Sequence, residues 1–184
     1  RLDRNEALQQ LGLDQNCKYV LFFGLVRAYK GLDLLLQAFA DEKLRDSNIK
    51  LIVAGEFYQD ESIYRKQISD LGIEDKIIIH NEFIPDDKVN LYFSAADIIA
   101  QTYKSATQSG VTQIAFHFEK PMLVTNVGGL GEIVINGKSG YVVEPKADEI
   151  ASALSDFFEN ERSAEFVQAV RTEKSKYAWS IMTG

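Results

Sequence analysis

The stretch Asp97-Ile98-Ile99-Ala100-Gln101, the segment Thr102 to Ser109, and Gly110-Val111-Thr112-Gln113-Ile114-Ala115-Phe116-His117-Phe118 together decide the fold. The first part is a short apolar run and the second a polar loop. The third carries Val111, Ile114, Ala115 and Phe118 at i, i+3, i+4 and i+7, one apolar face of a helix. Strand, loop, helix is the reading. Ser109 stands where an N-cap belongs and Gly110 has no Cβ, so first-turn N–H groups can approach an anion closely while the helix dipole favours its charge. The apolar strand Met122-Leu123-Val124-Thr125 follows, and the glycine-rich turn Asn126-Val127-Gly128-Gly129-Leu130-Gly131-Glu132 then leads, on this reading, into another short helix.

Working outward, apolar spacing predicts helices over 1–13, closed by Gly12, over 32–40, and over 61–71, stopped by Gly72. Another runs from 85 to 95 with Pro85 in its first turn. Strands are expected at 18–23, 49–54 and 76–80, the last with three consecutive isoleucines. Beyond the opening stretch come a strand at 140–143 and helices near 147–158 and 163–177. Six strands alternate with helices, and most are continuous apolar runs, which means a parallel sheet covered on both faces. The expectation is an α/β, Rossmann-like doubly wound sheet of six strands in the order 3-2-1-4-5-6. No repeat or linker interrupts it, so residues 1–184 read as a single domain.

In that order the first and fourth strands are neighbours whose following loops diverge, leaving a crevice at their carboxyl ends. Gly24-Leu25-Val26-Arg27-Ala28-Tyr29-Lys30-Gly31 follows the first strand and would face the Ser105–Gly110 loop. Two cations opposite a helix N-terminus suit a diphosphate. A loop Arg and Lys are ordinarily solvated, and Gly128-Gly129 alone reads as a turn. What joins these features is that they follow strands 1, 4 and 5 on one edge of the sheet.

The chain has 184 residues and a formal net charge of −7, which argues against nucleic acid or an anionic membrane as its main partner. A single cysteine, Cys17, cannot form an internal disulfide, and no apolar run is long enough to span a bilayer. Neither G-x-G-x-x-G after the first strand nor G-x-x-x-x-G-K-[ST] occurs, and there is no G-x-S-x-G elbow. His80 and His117 are far apart in sequence and read as structural or exposed, and no cluster has metal-ligand spacing.

Phe22 to Gly31, Phe118 to Glu132 and Gly140 to Val143 together resemble the C-terminal, donor-binding domain of GT-B glycosyltransferases of family 4. The resemblance covers nearly the whole chain. It implies a nucleotide-diphosphate sugar as donor substrate, no obligatory metal or other cofactor, and usually retention of anomeric configuration. It also implies a hexose passed to a glycan or lipid-linked acceptor in polysaccharide biosynthesis. Arg27 and Lys30 match the pair that holds the donor diphosphate and stabilises charge as the sugar leaves. Glu82, Phe83 and Ile84 match the segment that cradles the base. Gln108, Ser109, Gly110 and Val111 match the loop and helix start at phosphate and sugar; Gly24 and Tyr103 fall in the same donor site. Where the family places two glutamates for sugar and ribose, this chain has Ala106 and Ile114, and a one-residue slip offers Ser105 and Gln113. Glu132 reads equally as a capping or a contact residue.

By the same resemblance the chain is a donor-binding fragment, inactive alone, of a two-domain enzyme whose N-terminal domain holds the acceptor. The segment Tyr177-Ala178-Trp179-Ser180 resembles the helix that packs back on that partner. The implied setting is cytoplasmic, with membrane contact, if any, at the inner face through the other domain. Two alternatives stay open: a non-catalytic nucleotide-binding or assembly domain, motivated by Ala106 and Ile114, and, more remotely, a sugar-nucleotide epimerase or phosphorylase.

Overall fold

The structure, a computed structural model, describes residues 2–105 and 109–183. Its strands are β1 (Lys18–Phe23), β2 (Ile49–Ala54), β3 (Ile77–His80), β4 (Ile98–Gln101), β5 (Met122–Thr125) and β6 (Gly140–Val143). They form one parallel sheet in the order β3-β2-β1-β4-β5-β6, the order expected. The helices are α1 (Arg4–Leu11), α2 (Leu32–Phe39), α3 (Glu42–Arg45), α4 (Ser62–Leu71), α5 (Asp86–Ala95), α6 (Gly110–His117), α7 (Ala147–Glu159) and α8 (Ser163–Thr183).

Strand side chains alternate between two cores because successive residues point to opposite faces. Val20, Phe22, Leu51 and Val53 pack with Leu35, Phe39, Leu154 and Phe157 under α2 and α7. Tyr19, Leu21, Ile52 and Ala54 pack with Leu8, Phe93 and Ala115 under α1, α5 and α6. Burial on both faces is why these strands read as unbroken apolar runs. At the amino ends of β1 and β4, Asp97 joins the layers. It accepts from Arg4 Nε at 2.9 Å and Nη2 at 3.0 Å, and from the Tyr19 N–H at 2.8 Å.

Four local expectations change. Residues after the glycine-rich turn form successive turns rather than a helix, with Leu130, Glu132 and Val134 each donating to the carbonyl three residues back. Leu130 and Val134 are its buried apolar side chains, with Ile133 half-buried against the same core. Pro85 caps α5 from outside its first turn with extended ψ of 153°. The last helix runs beyond 177 to Thr183; Phe166 and Val170 bury its start, whereas Tyr177 and Trp179 are exposed. Lys76 belongs to a 3-10 turn before β3 rather than to the strand, and is buried with Nζ donating to the Ser47 carbonyl at 2.8 Å.

Candidate active site

The carboxyl ends of β1 and β4 do diverge, and the loops that leave them wall a cleft. Ser109 caps α6 through its Oγ, which accepts from Val111 N–H at 3.2 Å, so the charge-favouring end of that helix opens into the cleft. The buried Gln101 at the end of β4 fixes this helix to the sheet, its Nε2 donating to Thr112 Oγ1 at 3.1 Å. Gly24, at φ 110°, ends β1; a Cβ there would lie 3.5 Å from Val111 Cγ2 and 3.8 Å from Lys30 Nζ. Those are ordinary contact distances, so it is the positive φ rather than space that favours glycine where the lysine and the helix start approach.

A cavity of about 280 Å³ occupies this meeting point, lined by Phe23, Gly24, Tyr29, Lys30, Tyr103, Ser109, Gly110, Val111 and Ile114. Tyr103 forms its floor. Thr125 Oγ1 donates to the Tyr103 carbonyl at 2.6 Å, and the Tyr103 hydroxyl lies 3.3 Å from Ser109 Oγ. Lys30 Nζ stands 5.9 Å from the centre of the Tyr103 ring, and Arg27 Cζ stands 4.2 Å from the centre of the Tyr58 ring. Among the described residues neither cation has a carboxylate within ion-pair distance, whereas Lys104, in the opposite loop, is paired with Asp33 at 2.7 Å. Burial, and secondarily the charge of Arg27, hold the Lys30 ammonium below the ordinary lysine pKa. An anion entering here meets cations that no carboxylate already neutralises.

A second cavity, of about 310 Å³, shares Phe23 and Gly24 with the first and adds Leu25, Gly55, Glu56, Phe83 and Ile84. Phe83 is 70% exposed and Ile84 only 7%, so one residue overhangs the cavity and the next anchors the loop. A third, of about 290 Å³, shares Ser109 and Gly110 and extends to Gln113, Gly129, Leu130 and Glu132. The three lie in a row along one edge of the sheet, as the positions of the turns after strands 1, 4 and 5 require.

Most sequence-proposed residues thus converge. Gly24, Lys30, Tyr103, Ser109, Gly110 and Val111 line the central cavity, Phe83 and Ile84 the second. Arg27 is half-buried at the cleft rim. Glu82 is exposed and does not line the second cavity. Gln113 lines the third cavity, while Ile114 on its other side lines the central one. Gln108 and Ala106 lie outside the described residues. Phe23 and Tyr29 fall within the motif at the end of β1 but were given no role there, and Gly55, Glu56 and Tyr58 were not singled out; Gly55, directly after β2 on the same edge, is the signal that points to those three. His80 is half-buried with Nδ1 2.7 Å from the Tyr92 hydroxyl, and His117 is exposed. Among the described residues no three His, Cys, Asp or Glu side chains gather as a metal site, and no helix is long and apolar enough to cross a membrane.

The chain belongs to the family of glycosyl transferases group 1, whose profile matches residues 3–174. It is 31% identical to lipopolysaccharide 1,2-N-acetylglucosaminetransferase of Salmonella typhimurium over 97% of this chain and 49% of that protein. It is 31% identical to D-inositol 3-phosphate glycosyltransferase of Rhodococcus jostii over 83% of this chain and 35% of the relative. The chain therefore spans less than half the length of these curated relatives. Among solved structures, the C-terminal domain of a glycosyl transferase group 1 protein of Francisella tularensis superposes with a TM-score of 0.83 at 18% identity, covering 96% of this chain and 93% of that one. Anabaena HepE in complex with UDP gives 0.77 at 23% identity over 99% and 53%. At those identities the likeness is one of fold.

Proposed function

We propose that this group 1 glycosyltransferase chain is the nucleotide-sugar-binding half of a retaining enzyme that transfers a hexose to a glycan or lipid-linked acceptor, the acceptor being held by an N-terminal domain. The observation that carries the reading is the central cavity, where Lys30, beside Arg27, faces the capped start of α6 and, among the described residues, no carboxylate pairs with either cation. The diphosphate occupies that cavity. The base enters between Phe23, Phe83 and Ile84, and the sugar extends toward Gly129 and Glu132. UDP bound to the structurally similar HepE supports a nucleoside diphosphate as ligand.

Chemically, transfer breaks the bond between the anomeric carbon and the β-phosphate oxygen, leaving the electron pair on phosphate, while the acceptor hydroxyl oxygen bonds to that carbon and gives its proton to the departing phosphate. Arg27, Lys30 and the helix dipole stabilise that growing charge, an effect strongest in a cleft closed against water. No metal is needed for it, since two cations and oriented N–H groups supply the positive field. The protein acts on the cytoplasmic side, and membrane contact, if any, belongs to the other domain.

Calorimetric titration of the chain with UDP, GDP and ADP, without metal and again with magnesium, tests the reading. One nucleotide should bind without metal, and Arg27→Ala with Lys30→Ala should abolish the signal while thermal stability stays nearly unchanged. Failure of all three to bind, or a double variant that binds as well as the parent, overturns it. The apolar side chain of Ile114 in the cavity favours one second reading, a non-catalytic nucleotide-binding domain; sugar transfer from any nucleotide-sugar donor by the whole protein excludes that alternative.

A further inference from the structure

Among the described residues Arg27, in the loop after β1, has no carboxylate to hold it, and it is close enough to Lys30 for its charge to disfavour the Lys30 ammonium. An unrestrained guanidinium in that situation swings into solvent and must be re-ordered each time an anion binds. Here its Cζ stands over one aromatic ring, Tyr58, 4.2 Å from the ring centre. That ring is 67% exposed, so hydrophobic burial does not explain its presence. Its backbone, by contrast, is tightly held. Val26 N–H donates to the Glu56 carbonyl at 2.8 Å and Tyr58 N–H to the Val26 carbonyl at 3.0 Å, extending the β1–β2 pairing beyond the sheet. Asn81 Oδ1 accepts from Phe57 N–H at 3.0 Å and braces the same loop from the β3 side. The loop after β2 is thereby built as a rigid arm whose tip is a tyrosine under the arginine.

We propose that Tyr58 is a positioning residue that holds the Arg27 guanidinium at the cleft without neutralising it. A carboxylate in that place would occupy the N–H fork and cancel the charge. A ring face attracts the cation through its quadrupole and leaves the N–H edge free for a phosphate. The inference rests on the donor-site reading above and adds a residue to it that touches neither nucleotide nor sugar.

The test is a UDP titration of the full chain for the parent, Tyr58→Leu, Tyr58→Phe, Arg27→Ala and the Tyr58→Leu/Arg27→Ala pair, together with the NMR shift of the Arg27 Nε–H proton. Tyr58→Leu should weaken UDP by about three- to tenfold, and Tyr58→Phe, which keeps the ring, should stay within about twofold. In the Arg27→Ala background Tyr58→Leu should add nothing, because the two act through one contact. The Arg27 Nε–H resonance should carry an upfield ring-current shift in the parent and in Tyr58→Phe and lose it in Tyr58→Leu, with melting temperature unmoved. Undiminished UDP binding by Tyr58→Leu, while Arg27→Ala still weakens it, overturns the inference and leaves the donor-site reading intact. If Arg27→Ala has no effect or the parent binds no UDP, GDP or ADP, the reading itself falls and the inference with it.

Discussion

Thr102 Oγ1 donates to the Gly31 carbonyl at 2.8 Å, and a Cβ built on Gly31 would stand 1.9 Å from the Thr102 carbonyl oxygen. The loop carrying both cleft cations is therefore fastened directly to the end of β4, and Lys104 N–H reinforces the junction by donating to the Tyr29 carbonyl at 2.7 Å. Gly31 also sits at φ 70°, in the left-handed region. Gly31→Ala should destabilise the chain by about 3 kcal/mol, since left-handed backbone alone costs ~1–2 and the clash is with main chain that cannot rotate away. That corresponds to a fall of roughly 6–12 °C in melting temperature for a chain of this size. A loss below about 1 kcal/mol in urea denaturation would mean that the junction is looser than its geometry.

The depressed Lys30 pKa sets a pH limit on ligand binding. Burial first and Arg27 second disfavour the ammonium in the free protein, whereas a bound diphosphate favours it. UDP affinity should accordingly be full below the free-state Lys30 pKa and fall as pH rises through it, beginning below the ordinary lysine value. Lys30→Arg should carry the alkaline decline to higher pH, because a guanidinium keeps its charge to above about pH 12. Titration of UDP across the alkaline range decides; coincident profiles for parent and Lys30→Arg would remove Lys30 from the phosphate site.

At the opposite end of the sheet, Asp97 holds Arg4 and the first N–H of the β1 core while largely buried itself. Asp97→Ala removes the carboxylate partner of Arg4, leaving its bond to the Cys17 carbonyl, and takes the acceptor from an N–H, and should cost about 3 kcal/mol. UDP affinity of the folded variant should stay within about twofold, since more than a strand length of about 3.3 Å per residue separates the two ends of the sheet. Equal stability of parent and variant in urea would show that solvent replaces the network without loss.

Ile114 presents an apolar wall to the central cavity. Ile114→Glu places an acceptor there, and the preference for UDP over its 2′-deoxy analogue should rise by about two- to tenfold, the worth of one net hydrogen bond. The ratio is the quantity to measure, because a new carboxylate near Lys30 also changes the absolute affinity for both. An unchanged ratio would move the ribose away from residue 114.

Much of the fold was legible because β1, β2 and β4 are buried on both faces and so carry largely apolar runs, while Gly12 and Gly72 mark helix ends by left-handed backbone. The helix start at Ser109-Gly110 was legible for the same reason: a cap and the heptad-like spacing after it are local. The failure after Gly131 is equally instructive. Leu130 and Val134 have helical spacing, but one turn of contact cannot offset the cost of nucleating a helix, and the chain turns toward β6 instead.

Within the site, local sequence determined which residues could bind an anion: two cations and a capped, glycine-led helix start, on the right edge of a sheet whose order follows from the element pattern. Tertiary structure alone decided how they are arranged. Arg27 rests on Tyr58 from the loop after β2, Lys30 over Tyr103 from the loop after β4, and Ile114 rather than Gln113 looks into the central cavity. Those pairings join residues tens of positions apart, or depend on which side of a short helix meets its neighbour. Periodicity reports only what a segment does with itself, so contacts between loops appear only once the sheet has brought them together.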